Sequence, residues 1–425
     1  MLGAYLAEWG SLLLRWLHII TAMAWIGASF FFMHLDASLR KVPDIAKGGA
    51  AWEVHGGGFY EMRKYLVAPE RMPDELTWHK WQSYWTWISG FFLLVWIYYG
   101  QSSLYLINPE IMPLEPWQAV LFGVGGLALG WGVYDTACRF LVGRSDIGLA
   151  ALVFVFVVAM SWAWAHLFSG RGALIHTGAL MATMMTGNVF LNIIPNQKKV
   201  VADLIAGRAP NPEFGKQAKQ RSTHNNYFTL PVVFLMLSNH YPTTYANSST
   251  IPLTVTLVIV AGAVIRHFYN VRHRLHGSNW GSPWWAWAVA ALALFTAFYV
   301  GMAASPSGRE RLGLPPLQPS AGVAPARASE ASGPAMVLAS ADLPPKPVVD
   351  VIATRCGMCH SAEPVQEGIQ IAPKNVRFDT PDEIAREAPA IRVQAVLSHA
   401  MPPNNITEMT AAERTVLADW LLTAH

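Results

Sequence analysis

The chain has 425 residues, of which 53% are hydrophobic and 13% are charged. Soluble domains carry about 25% charged residues, so this composition excludes an ordinary string of soluble domains and favours an integral membrane protein. The net charge is +3 and the basic residues lie in separate loops, which excludes a nucleic-acid partner. Three cysteines are too few for a disulfide scaffold.

Eight apolar segments are long enough to cross a lipid bilayer as helices, which takes about 20 residues at about 1.5 Å per residue. The sixth is the weakest, because its strongly apolar part, Phe228 to Leu237, is short. The first has no small-residue cleavage site and is expected to stay in the protein. The predicted fold is therefore all-α, with a polytopic membrane helix bundle over residues 1–304. Its spans are predicted at residues 11–33, 84–106, 117–138, 147–168, 173–194, 226–247, 251–269 and 284–304.

The distribution of Lys and Arg predicts the orientation of this bundle, since short cytoplasmic loops collect basic residues. The loops that follow predicted helices 1, 3, 5 and 7 hold nearly all of the basic residues of this part of the chain. Arg15 and Arg171 lie on the opposite side. Eight spans then place both termini outside the cytoplasm, which for a bacterial inner membrane is the periplasm.

The sequence after the last span divides into a linker and a small domain. Residues 305–345 are rich in Pro, Ala, Ser and Gly without apolar periodicity, which predicts a linker. Residues 346–425 are predicted to form a compact helical domain. Within it, the pairs Thr380 with Glu383 and Thr410 with Glu413 match the capping box that begins helices.

The C-terminal domain contains the segment CGMCH, in which Cys356 and Cys359 precede His360. Two thiols three residues apart can attach to the two vinyl groups of haem, and the adjacent histidine supplies an iron ligand. A zinc site is the alternative, because paired cysteines at this spacing also bind zinc. We expect a covalent haem c, attached through both cysteines and ligated by His360.

Met401 is the candidate for the second axial ligand of the iron. It follows His360 by 41 residues, precedes the last predicted helix and is followed by two prolines, which favours a rigid loop. A small class I cytochrome c has its axial methionine in such a loop, whereas the simpler interpretation is a core methionine at a helix end. A Met opposite a His raises the haem potential, which suits acceptance of electrons from a mild reductant.

Histidines inside membrane helices are functional candidates, because ionisable groups in lipid are costly unless they face a partner or a cavity. With the N-terminus outside, His18, His166, His176 and His240 all fall in the outer half of the bundle. Arg15 lies three residues before His18 on the same helix face, where it could hold an anion. We predict these five residues as the catalytic group; the alternative is a set of hydrogen-bonded histidines between helices, with Arg15 reaching the lipid headgroups.

Helix 1 also bears a local resemblance to the first helix of small membrane protoporphyrinogen oxidases, whose histidine ligates haem. The resemblance implies a possible b-type haem on His18. Two further features suggest simpler roles. Asp135 and Arg139 are spaced for a helical ion pair, and the glycine run HGGGFY after His55 is either an anion cradle or a flexible turn.

Six segments of the chain are distinctive when taken together: RWLHIITAMAWIGASFFF, HGGGFY, WHKWQSYWTWISGF and STHNNYFTLPVVFLMLSNHYP, with CGMCH and HAMPPNN at the C-terminal end. Together they resemble the membrane-bound bacterial urate oxidases of the PuuD type. The resemblance implies oxidation of urate to 5-hydroxyisourate in purine breakdown, with water supplying the hydroxyl group. The electrons would leave through the fused cytochrome to a soluble cytochrome c or a terminal oxidase.

Two other functions fit the same residues. The membrane part could be a quinol-linked electron conduit with haem b and no urate site, with the cytochrome domain as its outlet. It could also be a transporter with a redox sensor attached. Urate added without oxygen and without quinol separates the first function from both others, because a urate dehydrogenase alone would then reduce haem c.

Overall fold

The computed structural model describes residues 2–43, 47–65, 69, 72–141, 145–245, 247–272, 283–304, 306–315, 343–367, 369, 372–373 and 376–423. Most of these residues are helical, as the sequence predicts. The N-terminal part contains α1 (Leu2–Ser38), α2 (Trp81–Leu93), α3 (Ser102–Tyr105), α4 (Pro116–Leu141), α5 (Asp146–Ala165), α6 (Gly170–Gly187), α7 (Ile194–Ile205), α8 (Pro212–Ser238), α9 (Ile251–Val271), α10 (Trp285–Ala303) and α11 (Pro306–Arg311). The C-terminal part contains α12 (Lys346–Arg355), α13 (Pro381–Arg386), α14 (Ala388–Ile391) and α15 (Ala411–Thr423).

Six helical stretches among the described residues are long and apolar enough to cross a membrane. They coincide with predicted spans 1, 3, 4, 5, 7 and 8. Span 2 coincides with α2, which continues as a π-helical turn over Leu94–Tyr99. Span 6, predicted at residues 226–247, is helical only as far as Ser238, where α8 ends; a 3-10 helix over Pro242–Thr244 follows. Helix α2 is rich in Trp, Tyr and Ser, and the first half of α8 is polar. That these two also cross the bilayer therefore stays a prediction.

Helix α6 lies at the centre of the bundle. It packs against α2, α4, α5, α8 and α9, and most of its side chains are buried. It continues through a π-helical turn, Asn188–Ile193, into α7. Its sequence is rich in Gly, Ala and Thr, and such small residues let neighbouring helices approach closely in a membrane. The outer helices pair along their lengths, α1 with α2 and α10 with α9.

The outward faces of the helices carry large apolar side chains. On a soluble protein a continuous patch of this kind would drive aggregation, whereas a bilayer covers it. These exposed side chains therefore agree with the composition in indicating a membrane protein. They include Leu12, Ile19, Leu121, Val155, Leu292 and Phe295.

The loop between α1 and α2 corrects the all-α prediction, because it contains an antiparallel hairpin of β1 (Lys47–His55) and β2 (Gly58–Tyr65). Gly56 and Gly57 form its two-residue turn with φ of 58° and 81°. Two positive φ values in succession are what a type I′ hairpin turn requires, and glycine adopts them without strain. The glycine run is thus a tight turn between strands.

The C-terminal domain is built on α12 and α15, which pack against each other. Both predicted capping boxes are present: the backbone N–H of Glu383 donates to Thr380 Oγ1, and that of Glu413 donates to Thr410 Oγ1. The predicted linker differs in one respect, since α11 occupies its beginning. Residues 316–342, most of that linker, lie outside the described residues.

Gly262 on α9 sets how closely α8 approaches. A Cβ atom at Gly262 would lie 2.5 Å from Cδ of Pro231 on α8, so the two helices would have to separate. We expect Gly262→Ala to cost about 1–3 kcal/mol of stability. Gly132→Ala on α4 is the matched control, because a Cβ there meets nothing within 4 Å. Thermal unfolding in detergent checks this; equal midpoints for the two variants would contradict the packing described.

Candidate functional site

The CGMCH segment forms a tight turn at the end of α12. The carbonyl of Cys356 accepts hydrogen bonds from the backbone N–H of Cys359 at 3.1 Å and of His360 at 2.9 Å. Both thiols are free, and Cys359 is 7% exposed. Burial raises the pKa of the Cys356 thiol to about 12 and also raises that of Cys359. The motif therefore presents two sheltered, neutral thiols directly before an imidazole.

The ring of His360 is held in one orientation. Its Nδ1 lies 2.9 Å from the carbonyl oxygen of Val376, and because a carbonyl can only accept, Nδ1 carries the proton. Nε2 is then the nitrogen with a free lone pair, which is the arrangement of metal-binding histidines. Burial lowers the pKa of His360, so the imidazole is neutral and able to bind iron. The ring also packs against Phe378, with 5.1 Å between centroids.

Met401 lies in a loop that is held by backbone hydrogen bonds. Its N–H donates to the carbonyl of Gln394 at 2.9 Å, and its carbonyl accepts from Nη1 of Arg414 at 2.9 Å. Met401 and Cys356 pack against the same apolar core of the domain. Two thiols, one imidazole with a free Nε2 and one thioether make up the donor set of haem c. Among the described residues, no group of three or more His, Cys, Asp or Glu side chains is arranged to hold a metal ion.

The loop after Met401 docks the C-terminal domain on the membrane domain. Asn404 Nδ2 donates to the carbonyl of Leu104 on α3 at 3.1 Å, and Asn405 Nδ2 donates to Glu110 Oε1 at 3.3 Å. Asn404 and Asn405 have φ of 51° and 53°. Among residues with a side chain, Asn is one of the best suited to this left-handed region. The local sequence therefore suits the turn that aims both amides at the membrane domain.

A cavity of about 650 Å³ lies where the two domains meet. Its volume falls in the range of about 300–1,000 Å³ that small-molecule sites occupy. One wall comes from α3, the start of α6 and the segment before α9, and the other comes from the Met401 loop and α15. Polar and charged side chains line much of it: Tyr105, Asn108, Glu110, Arg171, Tyr245, Ser248, His399, Asn404 and Arg414.

Arg171 is the cation on the membrane side of this cavity. Its guanidinium carbon lies 4.8 Å from the ring centre of Tyr105 and 5.7 Å from that of Tyr98. Nε of Arg171 is buried and has no hydrogen-bond partner among the described residues. The Tyr98 hydroxyl, which lies close enough to interact electrostatically with Arg171, is also buried without a hydrogen-bond partner among the described residues. Arg171 is half-buried, and it thus offers an unused Nε donor and a positive charge that no described carboxylate neutralises.

The predicted catalytic residues do not form one cluster in this structure. His176 is fully buried; its Nδ1 donates to the carbonyl of Gly172 at 2.8 Å, and its Nε2 accepts from the Tyr99 hydroxyl at 3.1 Å. Both nitrogens are therefore satisfied, as in a histidine that joins helices. Arg15, His18, His166 and His176 share no hydrogen bond or ring contact with one another among the described residues.

The other predicted residues have separate surroundings. His166 is exposed and stacks on Trp162, with 4.4 Å between ring centres, and His240 is exposed after the end of α8. Arg15 is exposed on α1 and lies within electrostatic range of the Tyr98 hydroxyl. His18 Nδ1 donates to the carbonyl of Thr86 at 2.9 Å. None of the five lines the interface cavity.

A polar network that the sequence reasoning missed lies in the other half of the bundle. Arg221 on α8 is 2% exposed; it donates to Asp135 Oδ1 at 2.7 Å and to Asn188 Oδ1 at 3.0 Å. Asn188 also donates to the Tyr134 hydroxyl, which lies 2.8 Å from His224 Nδ1. The predicted pair of Asp135 with Arg139 is present at 2.7 Å, but no sequence pattern indicated Arg221 as the buried partner of Asp135.

A second buried arginine near this network has no carboxylate partner among the described residues. Arg266 on α9 is 5% exposed and lies 3.9 Å from the ring centre of Phe30. Nε of Arg266 donates to Asn226 Oδ1 at 3.3 Å, and Nη2 donates to Asn270 Oδ1 at 3.4 Å. Nδ2 of Asn226 is buried without a partner among the described residues. Arg266 is thus a competing candidate for anion binding.

Comparison with known proteins identifies the membrane part. The family model described as urate oxidase N-terminal matches residues 4–301, which is more than half of the chain. The protein belongs to the urate oxidase N-terminal family. No curated protein and no solved structure matches the chain. Membership shows a urate oxidase-related protein and indicates an oxidoreductase.

The family match ends at residue 301, before the linker and the C-terminal domain. The urate relationship therefore belongs to the helices α1–α10, which supply Arg171 and one wall of the interface cavity. The thiols, His360 and Met401 lie outside the matched residues, and their role depends on their own chemistry. In the described part of the family domain, Arg221 is buried and paired with a carboxylate, whereas the buried Arg266 and the half-buried Arg171 have no carboxylate partner.

The Arg221 pair allows a test of the family domain. We expect Asp135→Asn to destabilise the protein by about 3–5 kcal/mol, because it leaves a buried guanidinium without its counter-charge. Arg139 is the other partner of the same carboxylate, and its side chain is 68% exposed. Arg139→Gln should therefore cost only about 0–1 kcal/mol of stability. Thermal unfolding in detergent measures both. Similar losses for the two variants would contradict the assignment of Arg221 as the buried partner.

Proposed function

We propose that this protein is a membrane-bound urate oxidase that passes electrons from urate to a haem c on its own C-terminal domain. The observation that carries the proposal is the docking, on a urate oxidase family domain, of a domain with the half-buried Cys356, the buried Cys359 and an oriented His360. The product is 5-hydroxyisourate, and the electrons leave to a soluble cytochrome c or a terminal oxidase. The reaction belongs to purine catabolism.

The reaction balances without oxygen. Urate and one water give 5-hydroxyisourate, two electrons and two protons, so the hydroxyl oxygen comes from water. When bound, the haem supplies a one-electron acceptor, and two oxidising equivalents are used in succession for each urate. The chain provides the two thiols for attachment, the hydrogen bond from His360 to Val376 that orients the imidazole, and the braced Met401 loop. These features hold the acceptor in place without reorganisation at each transfer.

The proposed location is a bacterial inner membrane, with both termini and the haem domain in the periplasm. The long apolar helices support the membrane assignment, and the loop cations support the orientation. Covalent attachment of haem c takes place on the periplasmic side in bacteria, which agrees with an even number of spans. The bilayer and urate are therefore the proposed partners, with the respiratory acceptor reached from the periplasm.

A haem b on His18 is kept as a proposal beside the haem c. Nε2 of His18 makes no hydrogen bond to the described residues, while Nδ1 is held by the carbonyl of Thr86. The ring lies against Gly90, where a Cβ would come within 2.8 Å of Cε1. A pyridine haemochrome spectrum of the purified protein separates haem c alone from haem b with haem c.

The three cysteines give a direct test of the proposed electron path. Cys356→Ala with Cys359→Ala should remove all haem that survives acid-acetone extraction, and should abolish urate oxidation with an added cytochrome c acceptor. Cys138→Ala is the matched control, because this thiol is also buried but lies on α4. It should retain both haem and activity. Full urate oxidation by the double variant would contradict the proposal.

A further inference from the structure

Arg171 and Arg266 pose a related energetic problem, since a cation removed from water without a counter-charge is unfavourable. Arg266 is 5% exposed, whereas Arg171 is half-buried. Arg221 shows how this chain solves the problem elsewhere, with a carboxylate at 2.7 Å. Neither Arg171 nor Arg266 forms such an ion pair with a described residue, so a bound anion would stabilise either guanidinium.

The two arginines differ in how many of their N–H donors the surrounding residues already use. Arg266 already donates from Nε and Nη2 to Asn226 and Asn270. Arg171 has a buried Nε without a described partner and lines the 650 Å³ cavity. Space, charge and an unused donor coincide at Arg171, which favours it over Arg266 as the anion site.

The shape and charge of the cavity suit a planar anion. Tyr105 covers one face of the Arg171 guanidinium, so a ligand would approach its edge, where the N–H groups point. The start of α6 faces the cavity through Gly170, and the positive end of a helix adds to the attraction for an anion. Of the described lining residues, Glu110 alone is a carboxylate, and it accepts the docking hydrogen bond from Asn405.

We propose that this interface cavity is the urate-binding site, with Arg171 as the counter-ion of the urate anion. The inference rests on the proposed urate oxidation and adds where that reaction takes place. The Met401 loop and α15 form the opposite wall, so the substrate lies between the membrane domain and the electron-accepting domain. Urate then contacts both domains at once, and the C-terminal domain is part of the substrate site as well as the electron outlet.

The first test is binding of radiolabelled urate to the full-length holoprotein after reduction with ascorbate, which prevents turnover. Arg171→Gln should weaken binding by about 30-fold or more, since it removes one partner of a buried charge pair. Arg171→Lys keeps the positive charge but loses the planar guanidinium, so its urate affinity should fall between that of the wild type and that of Arg171→Gln. Arg208→Gln is the control, because its 65% exposed side chain pairs with Asp203 at the surface; its binding should match the wild type.

The second test fills the cavity from the other domain, so that it does not depend on the folding of an Arg171 variant. Ala411 on α15 is exposed and lines the cavity, whereas its neighbour Ala412 is exposed and does not. Ala411→Trp should weaken urate binding by about tenfold or more through steric exclusion, and Ala412→Trp should leave it unchanged. Reduction of haem c by ascorbate should be equal in all variants.

The outcomes separate the inference from the proposed function. Wild-type binding in both the Arg171→Gln and the Ala411→Trp variants would overturn the interface site, even if urate still reduces haem c. Loss of binding in Arg266→Gln, with Arg171→Gln unaffected, would place the anion at Arg266 and would also overturn it. Failure of urate to reduce haem c in the wild type would instead overturn the proposed function.

Discussion

Two asparagine amides join the C-terminal domain to the helical N-terminal domain, and the cavity between the two domains depends on this contact. Asn404 reaches the carbonyl of Leu104, and Asn405 reaches Glu110. Such hydrogen bonds contribute about 0.5–1.5 kcal/mol each, which is little for holding two domains together. The linker compensates, because a tether raises the effective concentration of one domain near the other. Docking that is weak but tethered would let substrate enter and leave the cavity between the domains.

The arginines inside the helix bundle differ in whether a carboxylate neutralises their charge. Arg221 has Asp135 and a network of amides around it, which is the expected state of a buried cation in a structural role. The buried Arg266 and the half-buried Arg171 have no such carboxylate among the described residues. For the proposed anionic substrate, a guanidinium without a counter-charge is a physical indication of a binding site. Arg171 lines the same cavity as the Met401 loop, so under this proposal it would connect binding to electron transfer.

The features that the sequence predicted well are local. The helices follow from runs of apolar residues, the capping boxes from two Thr and Glu pairs, and the thiols and imidazole of the C-terminal domain from five consecutive residues. The hairpin was missed because its strands show no clear alternation of apolar and polar residues: the first half of β1 consists mostly of small residues and β2 is mostly exposed. Its turn at Gly56 and Gly57 was nevertheless visible as a glycine run.

The features that the sequence did not predict depend on contacts between distant segments. One is the hydrogen bond that His176 Nε2 accepts from the Tyr99 hydroxyl. Another is burial: Arg221 falls in a predicted loop and Arg266 near the end of predicted span 7, and both are buried in the structure. One signal for Arg171 was present: like Arg15, it lies outside the loops in which the sequence concentrates Lys and Arg. A cation that lies apart from the other basic residues is a candidate for function. Burial then distinguishes Arg171, which is half-buried, from Arg15, which is exposed.

The stoichiometry of haem c reduction by urate, measured without oxygen and without quinol, tests the proposed chemistry most directly. The wild-type holoprotein, in excess over urate, should show two haems reduced for each urate consumed, with the hydroxyl oxygen of the product derived from labelled water. Urate consumption that requires oxygen, with the haem remaining oxidised, would contradict electron transfer from urate to the C-terminal domain.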